Sequence, residues 1–381
     1  MYTSKLALLQ PQIIQYGPGA LSNLLPWLNE NGYKGIFFLC DPSVKDKIRK
    51  IQVLCTKRGI DPLICTDVEP EPSFDSLEKV LREARLFNPD CMVGIGGGSA
   101  LDLAKLVSVL IGGHYDITQI LGKNEAPPRT IGLVQVPTTA GTGSEVTLRA
   151  IVSDPLTKAK QAVESTYLLA DMVIVDPELT LTMPPSITAA TGIDALAHCI
   201  EAYTNQHAHP LIDTYAIKGV SLIGTHLETA VTRGDDLNAR AAMSLGSLYG
   251  GFCLGPVNTA AVHALAYPLN GEYDIAHGTA NSLLLPHVMA YNLPACRAKT
   301  AELGRALGVR GSDEELSDLA VERIKNLTRA IGIPSGISEL GIPREELSNI
   351  AKKAMQITRL LENNPRPLTY EDALYLYEKA Y

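Results

Sequence analysis

No run of apolar residues reaches the roughly 18 needed to cross a bilayer, so the sequence offers no membrane-spanning helix. It has no block of Lys or Arg. The 33 basic residues are scattered among 41 acidic ones, for a net charge of −8, which argues against nucleic acid or an anionic membrane as a partner. There is no C-x-x-C among the seven cysteines, an odd number, so they read as reduced, mostly buried thiols of a cytoplasmic protein. Residues 1–14, MYTSKLALLQPQII, carry one Lys and a short apolar stretch broken by Gln and Pro, which does not make a secretory leader. No fixed-period repeat or low-complexity stretch is present.

What is present is a large core and an uneven distribution of histidine. At 46% apolar and 19% charged, the 381 residues bury a sizeable interior and exclude disorder; the length suggests about two to three domains. Seven of the eight histidines fall within residues 198–287. Up to about residue 180 the pattern alternates strand and helix. Strands are expected at 35–40, 62–65, 91–95, 131–137 and 170–177, and helices at 44–58, 73–87 and 100–112. That order implies a parallel sheet with covered faces. After Thr182-Met-Pro-Pro185 the signal is almost wholly helical: 187–204, 211–232, 236–254, 258–266, 278–291, 295–308, 312–331, 344–357 and 369–380. The expected organisation is an α/β domain over 1–182 and an all-helical domain over 183–381.

Two loops carry possible phosphate chemistry. CMVGI (91–95) runs into Gly96-Gly97-Gly98-Ser99, with Ser99 expected to cap the next helix in an S-x-x-D pattern with Asp102. Three glycines allow a phosphate close to the backbone at a helix N-terminus, although a tight strand-to-helix turn needs the same residues. The loop lacks the last glycine of G-x-G-x-x-G. The strand-end acid, Asp41, precedes it instead of following by about 20 residues, so Asp41 reads equally as a turn residue. PTTAGTGSEVT (137–147) offers hydroxyls and exposed amides for a pyrophosphate or ribose, or for bonds within the loop itself.

Asp194 and His198 stand at i, i+4 on one helical face, a spacing that lets a carboxylate and an imidazole share a metal ion. His263 in AVHALAYP and His277 in AHGTANSLLLPHV complete a candidate set. Asp194, His198 and His263 lie in segments too apolar to be solvated, and burying such groups needs a reason. Three imidazoles and one carboxylate suit Fe²⁺ or Zn²⁺ and not Mg²⁺ or Ca²⁺. His207, His209, His226 and His287 read as structural or surface residues. Glu201, seven residues past Asp194, reads either as a salt-bridge partner or as an acceptor behind the metal ligands.

GGGSALDLAK, PTTAGTGSEVT, IVDPELTLTMPPSITAATGIDALAHCIEAY, HALAYPLNGEYDIAHGTANSLLLPHV and NNPRPLT, in that order over nearly the whole chain, resemble the iron-containing (group III) alcohol dehydrogenases. The resemblance implies an α/β dinucleotide-binding domain followed by an all-α catalytic domain, the fold shared with dehydroquinate synthase, with a metal and a cofactor in the cleft between them. It makes Asp194, His198, His263 and His277 the metal ligands, with Fe²⁺ or Zn²⁺ as the ion. It puts Gly97, Gly98 and Ser99 on the pyrophosphate of NAD. Thr138, Thr139, Thr142 and Thr147 fall around the cofactor, with Lys160 reaching the nicotinamide ribose. Asp41 falls where the family reads the adenosine ribose; a carboxylate there repels a 2′-phosphate and favours NAD over NADP. Many members carry a second His four residues after the third ligand, and here that position is Tyr267, which puts the proton-relay role in doubt.

The implied reaction is hydride transfer between NAD(H) and a short alcohol or aldehyde, with His263, His277 and Tyr267 at the reacting centre. Arg149, Phe252, Leu254 and Leu360 are the substrate-pocket candidates. Arg149 either takes an anionic tail of the substrate or pairs with an acid. A homodimer or larger assembly is expected from the family. The alternatives are a maleylacetate-type reductase, a glycerol-dehydrogenase-like enzyme or a dehydroquinate-synthase-like lyase on the same architecture, and a nucleotide- or metal-binding protein without turnover.

Overall fold

Short apolar runs closed by Gly, Pro or Asp become the strands of a parallel sheet. The computed structural model describes residues 5–123, 125–155, 160–273 and 275–381. In chain order the strands are β1 (Ile13–Tyr16), β2 (Gly35–Cys40), β3 (Asp61–Cys65), β4 (Cys91–Gly96), β5 (Gly122–Lys123), β6 (Gly132–Pro137), β7 (Arg149–Ser153), β8 (Lys160–Glu164) and β9 (Met172–Val175). Six of them form one all-parallel sheet in the order β1-β9-β6-β4-β2-β3. Strands β2, β4, β6 and β9 are buried almost end to end, as parallel strands covered on both faces must be.

Helices α1 (Leu24–Glu30), α2 (Lys45–Lys57), α3 (Phe74–Phe87) and α4 (Gly98–Leu110) belong to this unit. Ser73 caps α3 reciprocally with Ser76, and Asn88 ends it in the left-handed conformation at φ 55°. Helix α4 lies close on β4: a Cβ on Gly96 would sit 2.7 Å from that of Ala100, so only glycine fits.

β2, β3, β4, β6 and β9 lie where the sequence pattern puts strands, and four further strands carry no such pattern. β1 is an edge strand with Ile13 and Tyr16 partly in solvent, so it lacks the buried run that marks the others. β5, β7 and β8 form a second, three-stranded sheet in the order β5-β8-β7, with β7 and β8 antiparallel. In β7 only Ala150 and Val152 are buried, too short an alternation to register as a strand.

From Leu181 the chain is helical: α5 (Pro185–Thr204), α6 (Pro210–Thr232), α7 (Leu237–Leu254), α8 (Ala261–Tyr273), α9 (His277–Ala306), α10 (Leu316–Ala330), α11 (Leu347–Ala354), α12 (Thr358–Leu361) and α13 (Tyr370–Ala380). This unit also takes in Ala140–Thr142, and Leu6 and Leu8 pack on its core. One expectation needs correction: the helix expected at 258–266 continues through Pro268. The two expected at 278–291 and 295–308 meet at a kink at Cys296, just after Pro294, within the span given as α9. Among the described residues no helix is long and apolar enough to cross a membrane.

Candidate metal centre and nucleotide loops

The metal candidates come from three helices of the helical unit. Asp194 and His198 are one turn apart on α5. His263 lies in the first turn of α8, and His277 opens α9. Contact between α5 and the start of α9 depends on Gly278, where a Cβ would stand 2.0 Å from the carbonyl oxygen of Ala190. No side chain fits there, and the small residue brings His277 up to Asp194.

Three imidazoles surround one oxygen of Asp194. Asp194 Oδ1 lies 3.7 Å from His198 Nε2, 3.4 Å from His263 Nε2 and 3.7 Å from His277 Nε2. The rings of His198 and His263 stack at 4.8 Å. Asp194, His198 and His263 are buried, and His277 is part-exposed. Donor atoms of Asp194, His263 and His277 all fall within 4.8 Å of one another. A tetrahedral ion about 2.1 Å from each donor separates those donors by about 3.4 Å, so both the spacing and the nitrogen-rich donor set fit Fe²⁺ or Zn²⁺.

The surrounding charges support such an ion. Burial alone would raise the Asp194 carboxyl, but His198, His277 and His263 outweigh it and hold the group well below the usual carboxylate range. Burial opposes charge on His263, yet Glu201 and Asp194 overcome this and push the imidazole up to about 9. Burial lowers His198.

Behind the ligands stands Glu201, buried on α5. One carboxylate oxygen accepts the backbone N–H of Val262 at 2.6 Å, and the other makes a short hydrogen bond with His263 Nδ1. Both readings of Glu201 meet here: it is the ion-pair partner of His263, and it stands where an acceptor behind a candidate ligand would. A carboxylate on Nδ1 directs the Nε2 lone pair at the ion. Tyr267 follows one turn after His263 on α8, its ring 5.7 Å from that of His277.

The other histidines are placed as expected. His209 caps α6 through Nδ1, and His287 is half-buried with its imidazole lowered by burial. Of the substrate candidates in this unit, Phe252 is buried edge-on to Tyr215 at 5.1 Å. Leu254 ends α7 half-buried, and Leu360 is buried on α12.

In the α/β unit the glycine loop is built differently from the sequence expectation. The residue at the cap of α4 is Gly97, not Ser99, and the Ser99 hydroxyl instead donates to the Pro70 carbonyl. Asp102 makes no capping box. Its carboxylate accepts from Ser144 Oγ at 2.5 Å and from the Ile151 N–H at 3.0 Å. The first amides of α4 thus remain available to an anion. Asp41 lies beside this loop: its backbone N–H bonds the Ile95 carbonyl, and its carboxylate accepts from Ser43 N and Oγ at 2.8 and 2.6 Å.

Thr138 is buried at the end of β6, its N–H on the Gly96 carbonyl, and Thr139 lies against Gly97. Thr142 belongs to the segment grouped with the helical unit. Lys160 pairs with Glu71 at 3.1 Å. Two expectations change. The Thr147 hydroxyl turns inward, accepting from Lys105 Nζ at 3.1 Å. Arg149 is held by Glu164 at 2.8 Å, so its charge is already neutralised and no longer argues for an anionic substrate tail.

Sequence reasoning passed over Lys105, the last residue of the GGGSALDLAK motif. It is wholly buried and donates to Ser144 O, Ser144 Oγ and Arg149 O, with Asp102 3.6 Å away. Burial lowers the ammonium and raises both Asp102 and Glu145, the last to about 7. Lys105 ties α4 to the loop before β7. A lysine on the apolar face of a helix was the available signal.

The chain resembles known proteins along nearly its whole length. Sequence models described as iron-containing alcohol dehydrogenase and as the C-terminal part of the Fe-containing alcohol dehydrogenase family match residues 11–177 and 188–381. Long-chain-alcohol dehydrogenase 1 of Geobacillus thermodenitrificans is 40% identical over 97% of this chain and 95% of its own length. The NAD-dependent methanol dehydrogenase of Bacillus methanolicus is 32% identical over 96% and 97%. The crystal structure of a 1,3-propanediol oxidoreductase superposes with a TM-score of 0.95 at 32% identity, covering 99% of this chain and all of the other.

Proposed function

The chain belongs to the iron-containing alcohol dehydrogenase family and is an NAD-dependent oxidoreductase acting on CH–OH groups, and from that premise we propose that it interconverts uncharged alcohols and aldehydes at a metal held by Asp194, His198, His263 and His277. The observation that carries this reading is the convergence of three imidazole nitrogens on one buried carboxylate oxygen at 3.4–3.7 Å.

When bound, the metal supplies Lewis-acid polarisation of the substrate oxygen and the nicotinamide accepts or returns the hydride. The chain's residues hold and tune these groups. Glu201 fixes His263 through Nδ1. Gly97, Gly98 and the start of α4 offer backbone amides to the pyrophosphate, with Ser99, Thr138 and Thr139 beside them; Thr142 is a further cofactor contact, and Lys160 serves the nicotinamide ribose. Asp41 accepts from the adenosine ribose and repels a 2′-phosphate. The Tyr267 hydroxyl is the chain's own proton-carrying group next to His277. Phe252, Leu254 and Leu360 give the substrate side an apolar character. Pairing of Arg149 with Glu164 favours a neutral substrate over one with an anionic tail. The cofactor pair is NAD with Fe²⁺, Zn²⁺ being the alternative the donor set also accepts, and the working form is a cytoplasmic homo-oligomer.

The test is an anaerobic panel of primary alcohols and aldehydes, neutral against carboxylate- or sulfonate-bearing, with NAD against NADP. NADH formation from neutral alcohols, with Arg149→Ala leaving the neutral-to-anionic preference unchanged, supports the reading. A strong preference for anionic substrates that Arg149→Ala abolishes contradicts it.

A further inference from the structure

Against the ligand cluster stands a side chain that the assignment of four ligands leaves unexplained. Asn281 lies one turn after His277 on α9 and is wholly buried. Its Nδ2 donates to Asp194 Oδ1 at 2.7 Å and faces His263 Nε2 at 3.1 Å and His277 Nε2 at 3.2 Å. One amide nitrogen thus stands against three of the four ligand atoms. The other end of the same amide, Oδ1, is buried with no hydrogen-bond partner.

A carboxamide carries donors at one end and an acceptor at the other, and the two ends have nearly the same shape. A half-turn about its last torsion exchanges them at small steric cost. Which end faces inward depends on the sign of what occupies the centre. Facing the Asp194 carboxylate oxygen at 2.7 Å, the NH₂ end is the favourable one, because its hydrogens supply positive charge where a cation would. With a cation present the same hydrogens are repelled, and the oxygen end is attracted. A buried acceptor is rarely left without a partner, and a cation among the ligands would give Oδ1 one.

We propose that Asn281 is part of the metal site: its NH₂ group holds Asp194, His263 and His277 together in the metal-free chain, and its carbonyl oxygen turns to face the ion when one is bound. The inference rests on the metal-site reading above. It assigns Asn281 two roles, bracing the array and then accepting the ion, that a residue merely filling space would not have.

The experiment measures Zn²⁺ affinity of chelator-stripped protein by competition with a chromophoric chelator, together with the thermal midpoint of the stripped form. Wild type is compared with Asn281→Leu, which keeps the size and removes both polar ends, and with Asn281→Asp, which supplies oxygen but no N–H. The expected result is at least a tenfold weaker Zn²⁺ affinity in Asn281→Leu. Asn281→Asp should bind Zn²⁺ at least as tightly as wild type while its stripped form melts earlier. Wild-type affinity in Asn281→Leu overturns the proposal, as does a loss in Asn281→Asp equal to that in the leucine variant. If the leucine variant does not fold, Asn281→Asp decides alone: retained affinity supports the proposal and a tenfold loss overturns it. Asp194→Asn is the separate control, because undiminished Zn²⁺ uptake there overturns the metal site itself.

Discussion

At the scale of single residues, the buried carboxylates divide into two kinds. Glu201 is fully used, one oxygen on a backbone amide and the other on His263. Glu201→Gln removes the acceptor that orients His263, and the expected loss in metal affinity is about 10- to 100-fold. Equilibrium competition with a chelator measures it, and unchanged affinity would show that the carboxylate does not orient the ligand. Glu145 is the opposite case, pushed up to about 7 by burial despite Lys105 nearby. A carboxyl raised from its unfolded value of 4.5 stabilises the fold in its protonated form. That contribution is complete below pH 4.5 and is lost as pH rises through about 7; it amounts to about 3 kcal/mol. Glu145→Gln should therefore melt later than wild type at pH 8, with the gap closing towards pH 5. A gap of the same size at both pH values would contradict the assignment.

At the scale of elements, the site depends on how α9 begins. Gly278→Ala would put a methyl group 2.0 Å from the Ala190 carbonyl, so the first turn of α9 must move and take His277 with it. Several kcal/mol of stability should be lost along with metal affinity, as thermal melts and metal analysis would show. Much of this was legible in the sequence. The i, i+4 pair on α5 and the glycine-rich start of α4 follow from spacing and residue type alone. What was not legible depends on partners distant in sequence. Ser99 looks like a helix cap, but it bonds the Pro70 carbonyl. Asp102 looks like its capping partner, but it bonds Ser144 and Ile151 across 42 and 49 residues. β7 and β8 bury one face of a small sheet, and their short alternation is no stronger than that of a loop. Asn281 gave a visible hint in its four-residue spacing from His277, but nothing in the sequence says that its nitrogen faces Asp194.

At the scale of the whole molecule, the chain combines a doubly covered parallel sheet with an all-helical unit, and the two carry different chemistry. The sheet unit holds the loops suited to a dinucleotide and the helical unit holds the metal donors. A metal that binds only the folded helical unit must stabilise it. At 1,000 times its dissociation constant, an ion adds about 4 kcal/mol, so stripping by chelator should lower the melting midpoint and restoring Fe²⁺ or Zn²⁺ should recover it. The most direct test of the central claim is an anaerobic titration of stripped protein with Fe²⁺, following NADH formation from a neutral primary alcohol. The account predicts no activity at the start, a linear rise that breaks at one ion per chain, and no recovery in His263→Ala. Full activity in the stripped protein, or the same break in His263→Ala, would contradict it.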